Sequence, residues 1–129
     1  MTLANPSNYG INIKDDVEVR IWRDMLRTYL IKERANFTCE FCNRPLTAIS
    51  GADMHEGIVT RANVPKGTGW QGLIFAECNV LILHPNCHAP IPPSKEWCWE
   101  WACKKYGETV VREWYYNLPW KAGKPPREF

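Results

Sequence analysis

Two short pairs of metal-ligand residues, Cys39-x2-Cys42 and His84-x2-Cys87, constrain this chain more than any other feature. They stand far apart in the sequence, and together they supply three thiols and one imidazole. Zinc prefers these donors in a closed tetrahedral site. We therefore predict a structural Zn²⁺ held by Cys39, Cys42, His84 and Cys87. Such a site draws two distant segments together and fixes the backbone around both pairs.

The chain has 129 residues, seven Trp and 45% apolar residues, which suffices for one domain with its own core. Its polar N-terminus predicts no signal peptide, and no segment approaches the ~18 apolar residues that a membrane span needs. Paired ligand spacing in a non-secreted chain indicates metal binding, not disulfides, so we expect a cytoplasmic protein. The other three cysteines, Cys78, Cys98 and Cys103, are expected to be buried, reduced thiols.

Several polar residues near the two pairs are not needed for a zinc site. His55 and Glu56 stand together in a predicted strand, and Asn79 opens a second, apolar strand. His88 directly follows Cys87. Adjacent residues at the start of a helix point about 100° apart, so Cys87 can face the zinc while His88 faces the strands. This surplus indicates a second site beside the zinc.

The ordered set resembles the HNH endonuclease family, and its members are Cys39-x2-Cys42, His55-Glu56, Asn79 and His84-x2-Cys87-His88. The resemblance covers roughly residues 36–93 and implies a ββα-metal core braced by structural zinc. The set is similar to that of small enzymes encoded by bacteriophages and bacteria. It implies a metal-dependent DNA endonuclease or nickase, which hydrolyses phosphodiester bonds.

The resemblance also implies residue roles. His55 and His88 are expected to hold a catalytic divalent ion, which is Mg²⁺, Mn²⁺ or another transition ion. The family normally places a histidine base after the first ligand, and this chain has Glu56 there. Asn79 is expected to pin the loop and orient the base. The alternative makes His55 the base and Asp53, on the same strand face, a metal ligand.

DNA is the expected partner, bound chiefly through its phosphates. The net charge of +2 is too small for a strong basic footprint, and no recognition helix is evident. Arg61, just past the first strand, is a candidate phosphate-binding residue, as are Lys121 and Lys124 in the tail. A monomer or a weak homodimer is expected.

A rival reading is a catalytically silent zinc-finger module that binds DNA or protein. Glu56 at the base position and the prolines that follow His88 favour this reading. A redox role for Cys39 and Cys42 is not favoured, because no βαβ pattern surrounds them.

The predicted fold class is α+β, with three parts. An N-terminal arm and helix occupy residues 1–35, the HNH core 36–93, and two C-terminal helices with a basic tail 94–129. An apolar stripe predicts that the first helix runs from Asp15 or Asp16 to about Arg34 and that the stripe packs on the core. The two strands of the core are expected at 51–59 and 79–83, and a further short strand is expected at 73–75.

Prolines limit the helix that ends the predicted core. The helix begins near His84, and Pro90, Pro92 and Pro93 stop it within two turns. Two further helices, over 94–106 and 108–117, are expected to pack behind it. Ser94 is the predicted cap of the first of these, which carries three tryptophans, Trp97, Trp99 and Trp101.

Overall fold

Helix α1 spans Asp16–Tyr29 and begins where the sequence predicts it. The Asp15 side chain accepts hydrogen bonds from the backbone N–H groups of Val17 and Glu18, and so caps the first turn. The helix continues as a π-helical turn, Leu30–Arg34. The computed structural model describes residues 9–47 and 51–120 of the chain.

The apolar stripe of α1 divides between core and solvent. Trp22, Leu26 and Leu30 are buried, and the Trp22 indole N–H donates to the carbonyl of Phe75. The other members of the stripe are exposed, namely Val17, Ile21, Met25 and Tyr29. The prediction that the whole stripe packs on the core is therefore wrong for its outer half.

Two short strands form the sheet that positions the site. Strand β1 (Asp53–Glu56) pairs antiparallel with the fully buried strand β2 (Val80–Leu83), and Asp53 lies opposite Leu83. This two-stranded sheet together with the helices confirms the α+β class. Both strands are shorter than the predicted 51–59 and 79–83.

Asn79 explains the early end of β1. Its backbone carbonyl accepts from the N–H of Gly57, and its side-chain oxygen accepts from the N–H groups of Ile58 and Val59. Residues 57–59 thus hydrogen-bond to Asn79, and the pairing of β1 with β2 ends at Glu56. The long connection that follows contains 3-10 turns at Arg61–Asn63, Gln71–Ile74 and Glu77–Asn79, so a strand expected at 73–75 is absent there.

Three helices complete the described chain. Helix α2 (Pro85–His88) is a single turn, as the prolines predict, and α3 (Lys95–Tyr106) follows with the Ser94 side chain as its cap. Helix α4 spans Glu108–Tyr116. Of the three tryptophans on α3, Trp99 is fully buried and the other two are partly buried. In residues 9–47 and 51–120, no helix has the length and apolarity to cross a membrane.

A buried ion pair connects α1 to the first cysteine pair. The Arg34 guanidinium bonds Glu40 through two N–H groups, at 2.7 and 2.8 Å, and both side chains are less than a tenth exposed. Arg34 also donates to the carbonyl of Val80, and Glu40 accepts from the N–H of Ile82. The pair therefore ties together the π-helical turn, the cysteine pair and β2.

Candidate functional site

The four predicted zinc ligands converge in one cluster. Ligand atoms of Cys39, Cys42, His84 and Cys87 all lie within 4.8 Å of one another. Cys39 is fully buried, and the other three are partly buried. Among the described residues, these four form the one group of three or more potential ligand side chains whose ligand atoms lie close enough together to hold a metal ion. The predicted Cys3His cluster, which can hold a zinc ion, is confirmed.

The orientation of His84 fits a metal ligand. Its Nε2 lies 2.9 Å from the carbonyl oxygen of Pro45, and its Nδ1 lies 3.2 Å from the Cys42 Sγ. A carbonyl only accepts, so Nε2 carries the proton and the Nδ1 lone pair points into the cluster. A second hydrogen bond of this kind fixes the tautomer of metal-binding histidines.

A local turn in each ligand pair, Cys39–Cys42 and His84–Cys87, brings its two ligands close together. The Asn43 N–H donates to the carbonyl of Cys39 across the first pair, and Asn43 itself is left-handed at a φ of 64°. In the second pair, the Cys87 N–H donates to the carbonyl of His84. The His84 N–H in turn donates to the Cys39 Sγ at 3.4 Å. These backbone hydrogen bonds shape the turns on which the ligands stand.

The thiols of the cluster differ in acidity. Burial raises the pKa of Cys42, but hydrogen bonds from the side chain and backbone of Arg44 outweigh this effect and lower it to about 6. Burial and the neighbouring Cys42 and Cys39 thiols raise the pKa of Cys87 to about 11. Three thiolates this close repel one another without a cation, and a bound Zn²⁺ removes that repulsion. The donor set therefore fits zinc.

The second group of predicted residues meets on the other side of α2. The His88 Nδ1 lies 3.1 Å from Asp53 Oδ2, and the His88 and His55 rings are 5.0 Å apart between centroids. Asp53 and His55 share one face of β1, because alternate residues of a strand point the same way. Burial and the neighbouring His88 lower the pKa of His55, which favours its neutral, metal-binding form.

A pocket of about 410 Å³ opens beside this group. Three arginines line it together with Asp53, Glu56 and His88, and these arginines are Arg23, Arg27 and Arg61. Arg61 lies just past β1, and its Nε is 3.3 Å from a carboxylate oxygen of Glu56. The candidate base and the candidate phosphate ligand are thus paired with each other.

Arg23 and Arg27 were not predicted as site residues. They stand one turn apart on α1, at the edge of its apolar stripe, and this spacing was the signal for them. Arg27 donates two N–H groups to the carbonyl of Ala52, the residue before Asp53. It therefore anchors the start of β1 against α1.

Asn79 is buried behind the pocket and bonds through its whole amide. Its oxygen accepts from Ile58 and Val59, and its Nδ2 donates at 2.8 Å to the carbonyls of Val59 and Ile74. It is 0% exposed. The geometry is that of a residue that pins the loop after β1, with no remaining donor for a substrate.

The other predictions concern two lysines of the tail and three cysteines outside the cluster. Lys121 and Lys124 fall outside the described residues. Cys78 and Cys98 are buried and Cys103 is partly buried, and all three are free thiols. Burial raises the pKa of both Cys78 and Cys98 to about 12, which keeps them protonated.

The fold and the cluster define an α+β protein with a site suited to zinc. No protein-family model matches the chain, and no curated protein or solved structure matches it either. The function is therefore inferred from the residues and their geometry.

Proposed function

We propose that the protein is a metal-dependent endonuclease of the HNH type, which hydrolyses phosphodiester bonds in DNA. One observation carries this proposal. A single turn, α2, supplies Cys87 to the cluster and His88 to a charged pocket that also contains Asp53 and Glu56. A ββα segment with a Cys3His cluster and that pocket beside it supports the proposal, because the resemblance implies such an arrangement.

His55 and His88 are the proposed ligands of a catalytic divalent ion. Asp53 accepts the Nδ1 proton of His88, which leaves the His88 Nε2 lone pair available for a metal. A carboxylate in this position raises the basicity of a ligating histidine and fixes its ring. When bound, the ion supplies charge for the phosphate and for the leaving oxygen.

Glu56 is the proposed general base, and Arg61 is its partner. Both line the pocket, and Arg61 is 59% exposed at its side chain while Glu56 is 17% exposed. A phosphate that binds the exposed guanidinium of Arg61 therefore arrives next to the carboxylate. Glu56 can then accept a proton from a water placed between them.

Arg23 extends the phosphate-binding surface onto α1. Its side chain is 34% exposed, and its charged contact is with the adjacent Asp24 at 3.6 Å. An exposed contact of this kind contributes little, so phosphate can compete for the guanidinium. Arg23 and Arg61 thus provide two phosphate contacts from different elements of the pocket.

Nicking of supercoiled plasmid tests the proposal. Purified protein should convert plasmid to open circles with added Mg²⁺ or Mn²⁺. The variant His88→Ala should lose this activity while it keeps its zinc and its melting temperature. Asn86→Ala is the matched control, because Asn86 is an exposed residue of the same turn. Wild-type nicking by His88→Ala would refute the proposed site.

A catalytically silent zinc module is the second candidate. It is supported by the fact that, among the described residues, the close-packed metal cluster is Cys3His and does not include His55 and His88. The same assay separates the two functions. A silent module binds DNA or protein but gives no nicking with any divalent ion.

A further inference from the structure

Four large apolar side chains on α1 face solvent in a continuous row. Val17, Ile21, Met25 and Tyr29 recur at every fourth residue and have exposed fractions of 63%, 51%, 59% and 43%. Residues four apart on a helix are neighbours, so these side chains form one apolar surface, the α1 ridge. Isolated exposed apolar residues are ordinary, whereas a contiguous patch marks an interaction site.

A shallow groove of about 530 Å³ runs along the C-terminal half of the ridge. Met25 and Tyr29 line it, and Lys32 and Glu33 of the π-helical turn close its end. This groove can receive an apolar side chain from another helix. The ridge thus offers both a projecting row and a complementary depression.

The residues of the ridge are arranged symmetrically about Met25. Ile21 and Tyr29 are each four residues from Met25, which is about 6 Å along a helix of ~1.5 Å rise. Glu18 and Lys32 are each seven residues from it, or about 10 Å, and they carry opposite charges. From Glu18 to Lys32 the surface is therefore complementary to a reversed copy of itself, whereas Val17 at its end falls opposite Glu33.

We propose that the α1 ridge is the interface of a homodimer in which two α1 helices pack antiparallel, with Met25 at the two-fold axis. Ile21 then contacts the partner's Tyr29, and Glu18 faces the partner's Lys32. A two-fold interface uses the same patch on both subunits, which the symmetry about Met25 provides. In antiparallel packing the two helix dipoles point in opposite directions, which is electrostatically favourable.

Asp24 lines both the groove and the candidate active-site pocket, so the dimer lies near one rim of that pocket but leaves the rest of it open. Arg23 and Arg27, which line its pocket, are each two residues from Met25 and so point about 160° away from it. The inference is therefore independent of the proposed nuclease activity. A single helix pair belongs to the weak interfaces below about 1,200 Å², so the dimer should dissociate on dilution.

Sedimentation of the full chain over about 5 to 500 µM tests the proposal, because a weak dimer populates only at the upper end. Wild type should show a reversible monomer–dimer equilibrium, and Met25→Glu should be monomeric throughout, since two like charges would meet at the axis. Val110→Glu is the matched control, an apolar-to-acidic change at an exposed position on α4. A wild-type chain that stays monomeric, or a dimer that tolerates Met25→Glu, overturns the proposal.

Charge reversal tests the register and does not depend on Met25→Glu folding. Glu18→Lys and Lys32→Glu should each weaken the dimer about tenfold, since each places like charges at two symmetric contacts. The double variant restores opposite charges and should return the dissociation constant to near the wild-type value. A double variant as weak as the single ones, or weaker, would overturn the proposed antiparallel register.

Discussion

The Cys3His cluster and the pocket beside β1 share α2, but they differ in how fully their polar groups are satisfied. In the cluster, both ring nitrogens of His84 are engaged and Cys39 is fully buried. In the pocket, the side chains of His88 and Asp53 are 36% and 43% exposed. Closed sites suit structural metals, and open ones suit reactions. The cluster thus has the closed form of a structural site, whereas the pocket is open to solvent.

Removal of a cluster ligand should have the largest effect. Cys87→Ser should abolish tight zinc binding, which contributes ~10–16 kcal/mol of apparent binding free energy in small zinc domains, and should unfold the surrounding segment. Metal analysis and thermal melting measure both results. Cys103→Ser, a change to a thiol outside the cluster, should keep zinc and fold. Equal melting temperatures for the two variants would contradict a structural zinc.

The buried Arg34–Glu40 pair should be the next most sensitive feature of the supporting side. Arg34→Ala leaves the Glu40 carboxylate buried without its partner, which should lower the free energy of unfolding by about 3–5 kcal/mol. Arg112→Ala breaks an exposed pair with Glu108 and should cost less than ~0.5 kcal/mol. Urea unfolding compares the two variants. A loss below ~1 kcal/mol for Arg34→Ala would show that the pair does not hold the elements together.

Substitutions in the pocket should lower the cleavage rate, whereas substitutions in the cluster should lower the stability of the fold. Glu56→Gln removes the proposed base and should reduce single-turnover nicking ~10²-fold or more, with zinc content and melting temperature unchanged. Glu56→His supplies an imidazole base and should restore much of the rate. If Glu56→Gln cleaves at nearly the wild-type rate, His55 becomes the base and Asp53 a metal ligand, as in the alternative assignment.

Asp53→Asn should have a smaller effect that excess metal corrects. An outer carboxylate that orients a ligating histidine typically contributes 10–100-fold in metal affinity. The variant should therefore need more Mn²⁺ for half-maximal nicking and then approach the wild-type rate. A rate that stays low at saturating Mn²⁺ would identify Asp53 as a direct ligand.

Arg23→Gln should give the smallest change, in DNA binding alone. Loss of one phosphate contact should reduce the slope of log K against log[salt] by ~0.9. Arg20→Gln is the matched control, because Arg20 is exposed on the same helix and does not line the pocket. Identical slopes for the two variants would remove Arg23 from the phosphate-binding surface.

Local signals predicted the cluster and the helix boundaries well. The paired spacing of Cys39–Cys42 and His84–Cys87 encodes a metal site directly, and Asp15 encodes the start of α1. The early end of β1 was not predictable, because it follows from a side chain, Asn79, that bonds across the fold. The role of Glu40 was hidden for the same reason, since its partner Arg34 approaches from another element.

The pocket was predicted less completely than the cluster. Glu56 and His88, with the nearby His55, were singled out in the sequence as residues that a zinc site does not need, whereas Arg23 and Arg27 enter the pocket through the packing of α1 against β1. Their four-residue spacing on a helix marks a common face, but not what that face contacts. Tertiary packing decides that contact.

The single turn α2 has a consequence for how the protein matures in a cell. Cys87 and His88 are neighbours on it, so the segment that completes the cluster is also the segment that aims His88. In a newly made chain without zinc, only hydrogen bonds hold this turn, and His88 is then less firmly positioned. On the proposed function, the enzyme remains inert until it has acquired zinc, and metal supply sets the moment at which it becomes able to cut.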